Sequence, residues 1–202
     1  MSTPAIVVFD LGKVLVDFDY AIAARKVAAR CKKSVGQIKP LLEHSRLILD
    51  YESGRLTRRE FFEGVRGVAS YGGTMEEFSA AFADIFTPIP PMIELHAWVR
   101  RQKIPTYIFS NTNDLAVEHI RRNFPFFREF DGYVVSYEVG AMKPDAKIYA
   151  ELERLSGRRN AEILYMDDRA ENVAAGAARG WRTILHESPE QTLAVMKRFG
   201  LP

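Results

Sequence analysis

Ala5-Ile6-Val7-Val8-Phe9-Asp10 is the stretch that decides the fold. An apolar, largely β-branched run continues without a polar break and stops at a carboxylate. A strand with one wet face alternates, so an unbroken run marks a strand buried on both faces. Similar runs recur at Pro105-Thr106-Tyr107-Ile108-Phe109, Ile163-Leu164-Tyr165-Met166 and Trp181-Arg182-Thr183-Ile184-Leu185, with a shorter one at Gly132-Tyr133-Val134-Val135. Helical patterns separate them. Asn113 caps one through about Asn123, Pro144 and Asp145 open another that ends near Gly157, and Glu171 to Arg179 forms a third, stopped by Gly180. Ser188-Pro189 starts the last, which Gly200 stops. Strands alternating with helices predict an α/β fold with a parallel sheet covered on both faces.

Asp19 to about Phe86 breaks this rhythm and reads as helices only. Thr57-Arg58-Arg59-Glu60 and Thr74-Met75-Glu76-Glu77 are capping boxes. Phe61, Phe62, Val65 and Val68 form one apolar stripe, and Phe78, Phe82 and Ile85 another. Thr87-Pro88-Ile89-Pro90-Pro91 reads as the hinge of return. The expected organisation is a Rossmann-like core, residues 1–18 and 87–202, with a helical insertion over 19–86 after the first strand.

Composition excludes several classes. The chain has 202 residues, 47% hydrophobic and 27% charged, a globular balance. A net charge of +2 with scattered arginine pairs gives no field for nucleic acid. No window approaches the ~18 apolar residues that span a bilayer, and Met1 to Val16 lacks a basic leader and carries Asp10 and Lys13, so a membrane is not expected. The lone cysteine, Cys31, excludes a disulfide framework and reads as a buried spectator on a helix. A cytoplasmic location is the expectation. No Walker loop, Rossmann glycine fingerprint or zinc motif is present, and His44, His96, His119 and His186 show no ligand spacing.

Ligands of an open parallel sheet bind beyond the carboxyl ends of its strands. The first strand ends in Asp10, the second in Ser110 and Asn111, and the Ile163 run in Asp167 and Asp168, while Lys143 precedes a helix start. Each has a bland reading as turn, cap or surface residue. Together they describe phosphoryl transfer. A carboxylate attacking a phosphate dianion needs fixed positive charge, which Mg²⁺ on hard oxygen ligands and a lysine supply. A hydroxyl and backbone N–H groups bind the remaining oxygens.

Phe9-Asp10-Leu11-Gly12-Lys13-Val14, Phe109-Ser110-Asn111, Met142-Lys143-Pro144-Asp145 and Met166-Asp167-Asp168-Arg169-Ala170-Glu171-Asn172-Val173 resemble the four motifs of the haloacid dehalogenase superfamily, across nearly the whole chain. The insertion lies where that family places a C1-type cap. With Tyr51-Glu52-Ser53-Gly54-Arg55-Leu56, the chain is most similar to the bacterial sugar-phosphate phosphatases that include glucose-1-phosphate phosphatase. The resemblance implies a phosphatase of small phosphorylated metabolites. It implies Asp10 as nucleophile, Asp10, the Gly12 carbonyl, Asp168 and Asp167 (directly or through water) around Mg²⁺, Ser110 and Lys143 on the phosphoryl group, and Asn111 facing substrate. Tyr51, Arg55 and residues near Asp17 to Tyr20 are candidates for specificity.

Gly12 departs from the family pattern, because most of its phosphatases carry there an aspartate that acts as general acid. Asp17 and Asp19 are the nearby stand-ins, although loop and cap roles suit both, and Lys13 is a poorer one. The departure admits two rivals. A haloacid dehalogenase lacks that aspartate and needs no metal, but Asp167 and Asp168 would then repel each other without a cation. A phosphometabolite-binding protein of low turnover is the other.

Overall fold

The computed structural model describes residues 3–201. Ile6–Phe9 forms β1, with every residue buried; Val7 and Phe9 pack into one cluster and Ile6 and Val8 into another. A short strand β2 (Val16–Phe18) follows, then helices α1 (Tyr20–Ala28), α2 (Val35–Glu43), α3 (Arg46–Glu52), α4 (Arg58–Ala69) and α5 (Met75–Ala83). β3 (Phe86–Pro88) returns antiparallel to β2, with Val16 opposite Pro88. The chain continues through α6 (Pro90–Arg101), β4 (Thr106–Ser110), α7 (Asp114–Asn123), β5 (Gly132–Val135), α8 (Ser136–Val139) and α9 (Ala146–Ser156). It ends with β6 (Ile163–Asp167), α10 (Ala170–Ala178), β7 (Arg182–Leu185) and α11 (Pro189–Met196).

The main sheet is parallel, in the order β5-β4-β1-β6-β7. The chain runs outward from β1 through β4 to β5, then returns to lay β6 on the other side of β1. That reversal opens a crevice at the carboxyl end of β1. Met92 and Leu95 of α6, Ile120 of α7 and Met196 of α11 fill one face, and Ile148 and Leu152 of α9 with Trp181 fill the other. Burying each such side chain contributes about 1.5–3 kcal/mol before chain entropy is charged against it. This is the α/β architecture that the apolar runs predict.

The inserted helices build their own cluster around Phe61, Phe78, Phe82 and Tyr51, with Tyr51 stacked on Phe61 at 4.5 Å. Both expected capping boxes form. They dock on the core at polar points. Arg58 donates to Asp114 at 2.8 Å and to Glu118 at 2.7 Å, the Tyr51 hydroxyl bonds Asp114, and Ser136 Oγ donates to the Glu52 carbonyl at 2.6 Å. Gly54, at φ +71°, lies so close that a Cβ would sit 2.2 Å from the Tyr137 carbonyl oxygen. Only glycine meets both conditions.

Four details differ from the sequence reading. Thr87 to Pro91 is no bare hinge: it completes β3 and opens α6, and the stretch ending at Phe86 finishes in a strand. Val68 is 54% exposed and leaves the stripe at the last turn of its helix. Cys31 lies beyond α1 and is partly exposed. The helix expected from Pro144 begins at Ala146, with Asp145 as its cap, after a cis Lys143–Pro144 bond. No helix among the described residues is long and apolar enough to cross a membrane.

Candidate active site

Because β4, β1 and β6 are neighbours, Ser110, Asp10 and Asp167 share one sheet edge. Lys143 joins them from the turn before α9. Its Nζ lies 3.1 Å from Asp10 Oδ1 and 2.6 Å from Asp167 Oδ2, and it donates to the Phe109 carbonyl at 2.8 Å. Asp10, Asp167 and Asp168 bring carboxylate oxygens within 4.8 Å of one another. Asp10 Oδ1 also accepts from Leu11 N at 2.6 Å, which fixes the carboxyl's orientation.

Asp167 is the most engaged of the three. Oδ1 accepts from Arg169 N at 2.8 Å and Asn172 Nδ2 at 3.0 Å, while Oδ2 takes Lys143 and the Tyr165 hydroxyl. Burial works to raise its pKa, but Lys143 and these donors outweigh burial and hold the carboxyl below its usual range. Burial pushes Asp10 up to about 8 against the pull of Lys143, with Asp167 and Asp168 adding repulsion. Asp168 is raised by burial and by Asp167. Burial would lower Lys143, yet Asp10 and Asp167 raise it, so it stays charged. Three carboxylates thus face one lysine.

The other expected residues fall into place unevenly. Ser110 is buried at the end of β4, with Oγ donating a long hydrogen bond, 3.4 Å, to the Asn111 carbonyl. Asn111 borders the cavity, but its amide is committed to the backbone of Lys143, donating to the carbonyl at 3.0 Å and accepting from the N–H at 2.7 Å. Asp19 caps α1 through Ala21 N. Asp17 is ion-paired with Lys13 and accepts from Phe18 N, which holds its carboxyl below the usual range. Tyr51 and Arg55 do not line the cavity: Tyr51 reaches Asp114 and Arg55 reaches Asp50. The only cluster able to hold a metal among the described residues contains no histidine.

A cavity of about 550 Å³ rises from this floor. Asp10, Gly12, Ser110 and Lys143 line its base; Phe18, Tyr20, Leu49 and Glu52 come from the ribbon and helices above. Sequence reasoning assigned no role to Tyr165, Asn172 or Glu52, and read Asn113 only as the helix cap that it is. Asn172 stands inside the quoted Asp167-to-Val173 motif, so a signal existed for it. Glu52 is placed by contacts with residues far along the chain, which no local pattern reveals.

The profile of haloacid dehalogenase-like hydrolases matches residues 4–180. The chain belongs to this family. Among curated relatives, a D-ribitol-5-phosphate phosphatase of Bacteroides thetaiotaomicron is 25% identical over 191 residues, 90% of this chain and 91% of its own. A pyrimidine 5′-nucleotidase of Escherichia coli is 30% identical over 158 residues, 71% of this chain and 69% of its own. A crystal structure of a family enzyme from Bacteroides thetaiotaomicron superposes with a TM-score of 0.84 at 22% identity, covering 97% of this chain and 99% of that one. That enzyme has also been crystallised with magnesium and inorganic phosphate.

Proposed function

We propose that this hydrolase is a Mg²⁺-dependent phosphatase of a small sugar or sugar-alcohol phosphate, acting through an aspartyl-phosphate on Asp10. The observation that carries the reading is the charge of the floor. Asp10, Asp167 and Asp168 crowd a single buried cation, Lys143, and burial together with the two neighbouring carboxylates pushes Asp10 above the usual carboxylate range. A divalent cation on hard oxygens fits that deficit. Asp10, the Gly12 carbonyl and Asp168 would hold it; Asp167, whose oxygens already accept four donors, acts through Lys143 or through water. When bound, the ion favours the Asp10 carboxylate and offsets its repulsion with the phosphate.

Asp10 attacks phosphorus while Ser110 Oγ and Lys143 Nζ hold the phosphoryl oxygens. The leaving oxygen departs into the cavity, and water then hydrolyses the acyl phosphate. Residues 19–86 act as a cap over the core of 1–18 and 87–202. Phe18, Tyr20 and Leu49 give the cavity apolar walls, and Glu43, His44 and Glu52 add polar groups suited to a hydroxylated substrate. The phosphatase names of the curated relatives agree with this reading.

Phosphate release from a panel of sugar phosphates, nucleotides and haloacids tests it. EDTA should abolish release from phosphoesters and Mg²⁺ should restore it. Haloacid hydrolysis indifferent to EDTA would make the chain a dehalogenase. Mg²⁺ binding without turnover on any ester would make it a binding protein.

A further inference from the structure

At position 12, beside Asp10, stands a glycine, so the floor offers no carboxylic acid there to the leaving oxygen. A Cβ on Gly12 would lie 2.8 Å from Phe18 Cε1, so a side chain there would have to displace the phenyl ring. Asp17 is bound to Lys13, and Asp19 to the start of α1. Of the remaining carboxyls on the cavity wall, Glu43 is paired with Lys39 at 3.4 Å and with His44 at 3.4 Å. Asp168 belongs to the acidic cluster. Glu52 is left, with no ion pair among the described residues.

Glu52 is fixed over the catalytic loop by the core itself. Ser136 Oγ holds its carbonyl at 2.6 Å and accepts from Thr112 N at 2.9 Å. Its side chain takes a hydrogen bond from Asn113, three residues beyond Ser110. The last residue of α3 is thereby tied to the loop that carries Ser110, and it lines the cavity that holds Asp10 and Lys143.

Resting on the phosphatase reading, we infer that Glu52 is the general acid and base of this enzyme, supplied from the cap in place of the missing side chain at Gly12. In the first step Asp10 bonds to phosphorus, the bond from phosphorus to the ester oxygen breaks, and the Glu52 proton passes to that oxygen. The Glu52 carboxylate then takes a proton from the water that attacks the aspartyl-phosphate. Phosphate and Asp10 are released, and Glu52 is again protonated.

Burial supports the role by pushing Glu52 up to about 7, where a carboxyl can give and take a proton near neutrality. Tyr20, Glu43 and His44 share the cavity wall from the helical side, and Lys13, Arg169, Asp10, Asp168 and Lys143 from the core. Glu52 must hold its proton, so its titration makes the rate fall as pH passes about 7.

The test compares the parent chain with Glu52→Gln, under saturating Mg²⁺, by kcat/KM for a sugar phosphate and for p-nitrophenyl phosphate. This parameter excludes the common hydrolysis of the phosphoenzyme. Glutamine keeps an oxygen for Asn113 and has no acidic proton. The variant should lose about 10²–10⁴-fold on the sugar phosphate and far less on the aryl ester, whose leaving group needs no proton. The fall in rate above about pH 7 should disappear. Because both esters are measured on one preparation, their ratio is independent of the folded fraction. Equal losses on the two esters, or a basic limb that persists in Glu52→Gln and moves in His44→Gln, would overturn the role while leaving the phosphatase intact. Absence of Mg²⁺-dependent turnover in the parent chain would overturn both.

Discussion

On the floor of the cavity three carboxylates crowd one lysine, whereas on its roof Glu52 stands half-buried with an amide for company. The floor resists protonation of Asp167 through dense hydrogen bonding and keeps Lys143 charged; the roof makes ionisation of Glu52 costly. Two settings for the same functional group thus give different chemistry, one for handling phosphoryl charge and one for handling a proton. The floor is built from strand ends of the sheet, which are rigid. The roof comes from a helix end tied down by Ser136 and Asn113.

The largest test of this contrast is Asp10→Asn. Loss of the attacking oxygen should reduce turnover at least about 10⁴-fold, with the melting temperature nearly unchanged, because Lys143 keeps Asp167. Retention of more than a few per cent of turnover in a clean preparation removes Asp10 as nucleophile. Lys143→Met comes next. Stripping the buried cation from Asp10 and Asp167 should destabilise the fold by about 3–5 kcal/mol. Both carboxyls then titrate above their unfolded values, so stability is lost as pH rises, and the deficit should be larger at pH 8 than at pH 5. Denaturant melts at the two pH values check this; a pH-independent deficit would mean that packing, not charge, is what Lys143 supplies. Gly12→Asp is the smallest. It should cost about 1–3 kcal/mol through overpacking against Phe18 and should not accelerate alkyl phosphates. Faster alkyl ester hydrolysis at unchanged stability would show that the floor has space for an acid and needs no help from the roof.

Legibility in the sequence followed the same division. The sheet was readable because strands buried on both faces leave unbroken apolar runs, and the order of motif residues on strand ends then assembled the floor. β2 and β3 were not, since Val16-Asp17-Phe18 and Phe86-Thr87-Pro88 are too short to show a period and Pro88 argues against a strand except at an edge. Tyr51 read as a candidate for specificity from its place in the inserted segment, yet its hydroxyl partner is Asp114, far along the chain. Glu52 sat in the quoted segment without a role, because its meaning depends on Asn113 and Ser136 arriving beneath it. Asn111, expected to face substrate, borders the cavity, and its bracing of the Lys143 backbone could not be read from the sequence. Local pattern identifies what each element is; which side chains meet across the insertion is decided by docking.

The ribbon of β2 and β3 has a consequence for how the chain folds. Pairing Val16 with Pro88 closes a loop that contains every inserted helix, and the parallel contact of β1 with β4 must span the same interval. Closing a flexible loop costs entropy that rises slowly, about 0.6 kcal/mol for each doubling of length. Helices α1 to α5 make mainly local contacts and can collapse early, which shortens the effective loop before the ribbon zips. The order of events should therefore run from the insertion inward, with the central sheet, despite being the deepest part of the molecule, completed last.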